Sequence, residues 1–152
     1  MLKVLFVCVS NSARSQMAEA FLNKLGGGYF VAESAGIEPK PLNPLAIRLM
    51  AELGYDIRNN KVDSVFDFLK SGKTYSLVIK VCDQLSGQRC PVFPHVLKTL
   101  DWNIPDPALL EGTETEILHQ GRLIRTEIEE KVKQLIADYG AYAKERNGST
   151  IA

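Results

Sequence analysis

Leu2 to Val7 is an apolar run, broken only by Lys3, that ends on Cys8 and gives way to Val9-Ser10-Asn11-Ser12-Ala13 before Arg14 and Ser15 open a helix-forming stretch. A strand without apolar-polar alternation is buried on both faces, and such strands belong to parallel sheets covered by helices on each side. The chain must then supply crossover helices. Ser15 to Leu25 reads as one, with Met17, Ala18, Phe21, Leu22 and Leu25 on its apolar face and Gly26, Gly27 and Gly28 as its stop. Tyr29 to Ser34 reads as a second strand. Asn43 caps a helix that has Pro44 at its first position and runs to Leu53, before Gly54. Asp63 to Leu69 is a short helix, Tyr75 to Cys82 a third strand, and "HVLKTLDW" contains a fourth. A long amphipathic helix follows from Gly112 to Tyr139, with Ile117, Ile124, Ile128, Val132, Leu135 and Ile136 facing inward, and Thr113 with Glu116 forms a capping-box start. This order predicts a doubly wound α/β sandwich. Ligands of such folds sit beyond the carboxyl ends of the strands, where Cys8, Ser34, Cys82 and the segment after Leu100 would gather.

Composition narrows the class. Lys plus Arg number 18 and balance 18 Asp plus Glu, so no basic field points to nucleic acid or to an anionic membrane. No apolar run is long enough to cross a bilayer, and the first residues lack a secretory signal pattern, so a cytoplasmic protein is expected. The 3 cysteines are an odd number and do not form a secreted disulfide framework. Their reactivity is the informative possibility.

A turn from a strand into a helix N-terminus aims several backbone N–H groups at one spot, and the helix dipole adds positive charge there. Val9 to Arg14 would form that oxyanion cradle. Arg14 adds a planar fork of donors matched to two oxygens of a tetrahedral anion. Cys8 at its base would be stabilised as a thiolate and act as a nucleophile at neutral pH, with Ser15 donating a hydrogen bond to its sulfur. A lone strand cysteine is usually packing. Packing does not account for a thiol followed six positions later by Arg-Ser.

"CVSNSARS" followed by "QMAEAFL" resembles the phosphate-binding loop of the low-molecular-weight tyrosine phosphatase fold, and "DWNIPDPA" resembles its distal loop. The resemblance implies a single domain over residues 1–152, a three-layer α/β sandwich whose four-stranded parallel sheet has the order 2-1-3-4. It also implies that Asp106 is the general acid, in a loop stiffened by Pro107. "VCDQLSGQRCPVFP" is similar to the redox segment of the thioredoxin-coupled arsenate reductases, which use this fold with two added thiols. That resemblance covers nearly the whole chain. It implies arsenate reduction through a Cys8, Cys82, Cys90 relay, regenerated by thioredoxin, with no tightly bound cofactor. Arg89 stands beside Cys90 and could ease ionisation of its thiol.

The alternative is a phosphatase, which needs Cys8, Arg14 and Asp106 but neither other cysteine. Such enzymes usually set aromatic side chains beside the Asp-Pro loop, where this chain has Ala108, Leu109 and Leu110. Some related reductases bind potassium, and Asn11, Glu19, Ser34 and Asp63 match that site. Lys61 stands where a hydroxyl residue would be expected, so its ammonium is expected to replace the ion, and potassium dependence is not expected. No spacing of His95, His119 or the cysteines suggests a metal centre. His95 reads as a surface loop residue, His119 as a helix-face residue, and the chain as a monomer.

Overall fold

A computed structural model describes residues 1–81 and 91–151, with side chains to residue 146. Four strands, β1 (Leu2–Cys8), β2 (Phe30–Gly36), β3 (Leu77–Val81) and β4 (Lys98–Trp102), form one parallel sheet in the order β2-β1-β3-β4. The helices are α1 (Arg14–Leu25), α2 (Pro44–Ala51), α3 (Val65–Lys70) and α4 (Glu114–Ile151), with a 3-10 turn at Pro107–Leu109. The predicted α/β sandwich and strand order are both present.

β1 shows why an unalternating strand sits at the centre. Leu2, Val4 and Phe6 face a core shared with α1, α2 and α4, whereas Leu5 and Val7 face a smaller core with Val65, Tyr75, Val78 and Phe93. Phe6 is fully buried and tilts against Trp102 with ring centroids 5.5 Å apart, a contact worth about 1 kcal/mol beyond the burial itself. Trp102 is thus a packing residue. At the sheet edge, Asn23 of α1 both accepts from the Ala32 amide at 2.8 Å and donates to its carbonyl at 3.1 Å. Those bonds satisfy part of the open ladder of β2 and fix α1 over it.

The sequence-based boundaries shift in ways that have local causes. Leu25 is 36% exposed rather than packed, because Gly26 ends the helix there; a Cβ on Gly26 would lie 2.7 Å from the Leu22 carbonyl oxygen. The second strand runs to Gly36, extended by pairing of Ala35 and Gly36 with Val7 and Cys8. α2 has the predicted Asn43 cap, whose Oδ1 accepts from the Leu45 amide at 3.0 Å, but ends at Ala51. α3 starts at Val65 because Ser64, not Asp63, caps it. Thr113 Oγ1 accepts from the Glu116 amide at 3.2 Å as expected, while the Glu116 carboxylate accepts from the Thr113 hydroxyl. α4 continues past Tyr139 and also buries Leu118, and it lies so close to α2 that a Cβ on Gly121 would stand 2.9 Å from Leu49 Cδ1.

Candidate active site

The loop after β1 is built so that its amides face inward. Its carbonyls are drawn outward: Ile37, Glu38, Lys40 and Asn43 donate their amides to the carbonyls of Cys8, Val9, Ser10 and Ser12 at 3.2, 2.7, 3.0 and 2.9 Å. In a trans peptide the C=O and the following N–H point in opposite directions. The amides of Val9, Ser10, Asn11 and Ala13 are therefore turned toward the bowl of the loop, as the cradle requires. One of them can be followed directly, since the Asn11 amide donates to Cys8 Sγ at 3.1 Å. Ala13, at the N-cap of α1, gives no side-chain capping bond, so the helix's first amides are left for an anion.

Cys8 is buried at the carboxyl end of β1, and its Sγ lies 2.9 Å from Ser15 Oγ. Asn11 Nδ2 donates to that same oxygen at 2.8 Å. Ser15 accepts from Asn11, which leaves its hydroxyl proton to be directed at the sulfur. Ser10 and Ser12 bond to each other at 2.7 Å on the rim.

Asn11 carries the strain of this turn. It has φ 53°, in the left-handed region, which costs a non-glycine residue roughly 1–2 kcal/mol. Gln16, 1% exposed, holds it there: Nε2 reaches the Asn11 carbonyl and Oδ1 at 3.2 Å each and the Lys61 carbonyl at 2.9 Å, while Oε1 accepts from Asn60 at 3.1 Å. The Asp63 amide completes the set with a 3.0 Å bond to Asn11 Oδ1. Beneath the loop, a Cβ on Gly36 would stand 2.8 Å from the Asn11 nitrogen and from the Ser10 carbonyl carbon. Only glycine lets β2 come that close.

Arg14 is 3% exposed and spans two loops. Its Nη1 donates to the Ile104 carbonyl at 2.9 Å, and its Nη2 lies 3.6 Å from Asp106 Oδ2. Asp106 Oδ1 accepts from the Ala108 amide at 2.9 Å and so caps the 3-10 turn that Pro107 begins. The structure thus brings Cys8, Val9 to Arg14, Ser15 and Asp106 to one end of the sheet. The readings at Cys82, Arg89 and Cys90 lie outside the described residues. β3 ends at Val81, one position beyond the Val7–Lys80 pair and level with the Cys8 end of β1.

Asn11 accepts from the Asp63 amide, and Ser34 donates to Glu19, on which the Asp63 charge also bears; Lys61 lies in the same stretch of chain as Asp63. Its side chain is exposed, and only its backbone carbonyl turns inward, to Gln16. The charges that bear on Glu19 are Glu33 and Asp63. Burial first, and then those two carboxylates, pushes the Glu19 carboxyl up to about 7 despite a 3.2 Å hydrogen bond from Ser34. The Glu19 carboxylate and the Ser34 hydroxyl are hard oxygen donors that fit a potassium ion, while the Asn11 amide oxygen is already taken by two donors. Among the described residues no three His, Cys, Asp or Glu side chains form a metal centre, and His95 and His119 are exposed.

A family model described as low molecular weight phosphotyrosine protein phosphatase matches residues 3–146. The chain belongs to that family. Within this phosphatase family its relatives include reductases. It is 39% identical to the arsenate reductase of Bacillus licheniformis over 86% of this chain and 92% of that one. It is 36% identical to the glutaredoxin arsenate reductase of Synechocystis, over 90% and 98%. A solved arsenate reductase in the phosphate binding state superposes with a TM-score of 0.74 at 36% identity, covering 91% of this chain and 98% of that one. A thioredoxin-dependent arsenate reductase of Corynebacterium glutamicum gives 0.59 at 26% identity, covering 88% and 63%. No described helix is long and apolar enough to cross a membrane.

Sequence reasoning missed Gln16, Asn60 and Gly36. Gln16 alone carried a signal, as a long polar side chain beside the apolar face of α1.

Proposed function

We propose that this chain is an arsenate reductase of the cytoplasm, acting in arsenic detoxification, with Cys8, Cys82 and Cys90 as its three redox thiols. The observation that carries the reading is Cys8 Sγ, held by Ser15 and the Asn11 amide at the base of an inward-facing ring of amides, in a chain so similar to arsenate reductases. Arsenate has the shape and charge of phosphate, so a cradle built from Val9, Ser10, Asn11, Ser12, Ala13 and Arg14 accepts it. The Cys8 thiolate attacks arsenic and an arsenate oxygen leaves as water, with Asp106 supplying a proton. Cys82 then attacks Cys8 Sγ. The sulfur–arsenic bond breaks with its electron pair going to arsenic, which departs as arsenite, and a Cys8–Cys82 disulfide remains. Cys90 attacks Cys82 Sγ, Cys8 leaves as thiolate, and a Cys82–Cys90 disulfide holds the two oxidising equivalents. An external dithiol returns both cysteines to thiols. We take that dithiol to be thioredoxin; the glutaredoxin enzyme among the relatives makes glutaredoxin the second candidate.

Hydrolysis of phosphate monoesters by the same Cys8, Arg14 and Asp106 is the alternative, favoured by the family's own description. Arsenate-dependent NADPH oxidation with thioredoxin and its reductase, run beside aryl phosphate hydrolysis, separates the two. Wild type is expected to reduce arsenate, and Cys82→Ser and Cys90→Ser to lose turnover while keeping hydrolysis. Full turnover in both variants would sink the relay. Fast hydrolysis with no arsenate reduction in any of the three would establish the phosphatase.

A further inference from the structure

The two faces of the sheet are covered unequally. α1, α2 and α4 pack on one face, whereas among the described residues the other carries only α3, which lies on β2. Over β3 and β4 that second face is covered by the segment after residue 90. Phe93 anchors this segment, 4% exposed and edge-on to Tyr75 at 5.4 Å, and the Leu97 amide bonds to the Ser76 carbonyl at 2.8 Å. The anchored segment nonetheless presents Val92 at 90% exposure, the highest of the large apolar side chains described, and Leu97 at 59%. They border a cavity of about 350 Å³ whose lining, among the described residues, includes Lys80 and Lys98 and no carboxylate. Apolar side chains held out on a fixed support, with cations at the edge, suit a partner whose contact face is apolar and rimmed by carboxylates.

The covalent chain says which partner. Val92 is two residues from Cys90, so their Cα atoms lie within about 7 Å whatever path the backbone takes. A protein that attacks the Cys82–Cys90 disulfide must rest its surface beside that bond. We infer that Val92 and Leu97, with Lys80 and Lys98 at the edge, are the docking surface for thioredoxin, an inference that rests on the reductase reading above. A small dithiol has no use for such a surface.

Steady-state arsenate turnover driven by thioredoxin and its reductase, against turnover driven by dithiothreitol, reads the surface apart from the chemistry. In the Val92→Asp/Leu97→Asp double variant the KM for thioredoxin is expected to rise about tenfold or more. Dithiothreitol-driven turnover and aryl phosphate hydrolysis should stay within about twofold of wild type, which also shows that the variant is folded. Lys80→Glu/Lys98→Glu should raise the thioredoxin KM as well, more at low salt than at high salt. An unchanged thioredoxin KM in both double variants overturns the docking surface, as does a change in oligomeric state without a change in KM, which would assign the ridge to a second copy of the chain. Wild type that turns over with dithiothreitol, or with glutaredoxin and glutathione, but not with thioredoxin overturns it too and leaves the reductase reading standing. Wild type that reduces arsenate with none of these reductants overturns the reductase reading itself.

Discussion

The cradle loop and the acid loop meet at Arg14, yet they are held in opposite ways. Around Cys8 the residues Asn11, Arg14, Ser15 and Gln16 are all at most 3% exposed, and hydrogen bonds join Asn11 to Cys8, Ser15, Gln16 and Asp63 in one network. The Asp106 side chain is 29% exposed and its neighbour Leu109 is 72% exposed. Its loop hangs on the Arg14 bond to the Ile104 carbonyl and on its own cap to Ala108. Folding itself sets the proposed nucleophile, whereas the proposed acid is set by an arginine that belongs to the cradle. Damage to the acid loop should therefore stay local, and damage under the cradle should spread to both.

The largest effect expected from this contrast is at Asp106. Asp106→Asn keeps an oxygen to cap Ala108 but has no proton to give, so hydrolysis of phenyl phosphate should fall by roughly 10²- to 10⁴-fold. An aryl phosphate with a much better leaving group needs less protonation and should lose far less. Melting temperature should barely move. An equal loss on both substrates would make Asp106 a structural residue and erase the distinction between the loops.

Beneath the cradle the next effect is one of stability. Glu19 has its carboxyl pushed up from 4.5 to about 7 by burial and then by Glu33 and Asp63. The folded protein binds that proton where the unfolded chain has released it. This contribution to stability is complete below about pH 4.5 and is lost as pH rises through about 7, a loss on the order of 3 kcal/mol above that pH. Glu19→Gln should abolish that loss. Urea unfolding at pH 5 and pH 8.5 in sodium buffer checks it: the variant should gain on wild type at the higher pH only. A constant difference at both pH values would mean that Glu19 is ionised throughout.

What could be read from the chain follows the range of the interaction. The central strand, the Asn43 and Thr113 caps and the Cys8–Arg14 turn depend on neighbours in sequence, and each is where local chemistry places it. Asp106 is distant from Cys8, but its Asp-Pro pair resembles a known loop and so carried its position. Gly36 was invisible and Gln16 only faintly marked, because their roles rest on contacts with Asn11 and Lys61, far along the chain. Lys61 was read by its ammonium, whereas the contact it makes here is through its backbone carbonyl to Gln16, which only the backbone path decides.

Gln16 gives the smallest effect and the sharpest test of how the cradle holds its shape. Its Nε2 is the donor that both Asn11 oxygens share, and a left-handed Asn11 is what aims the amide at Cys8 Sγ. Gln16→Met keeps the volume and removes the donor. The lost bonds are worth about 1–2 kcal/mol, so kcat/KM for aryl phosphate should fall about tenfold, carried mainly by kcat, and alkylation of Cys8 by iodoacetamide should slow at the same pH. Gln16→Glu sets a carboxylate against the carbonyls of Asn11 and Lys61 and should cost more than Gln16→Met, although it is the closer isostere. Because Arg14 follows the same turn, both variants should also weaken phosphate binding, which Asp106→Asn should leave nearly intact. If Gln16→Met only lowered the melting temperature and left kcat and Cys8 alkylation unchanged, the loop would hold its own conformation, and Gln16 would be packing rather than a positioning residue.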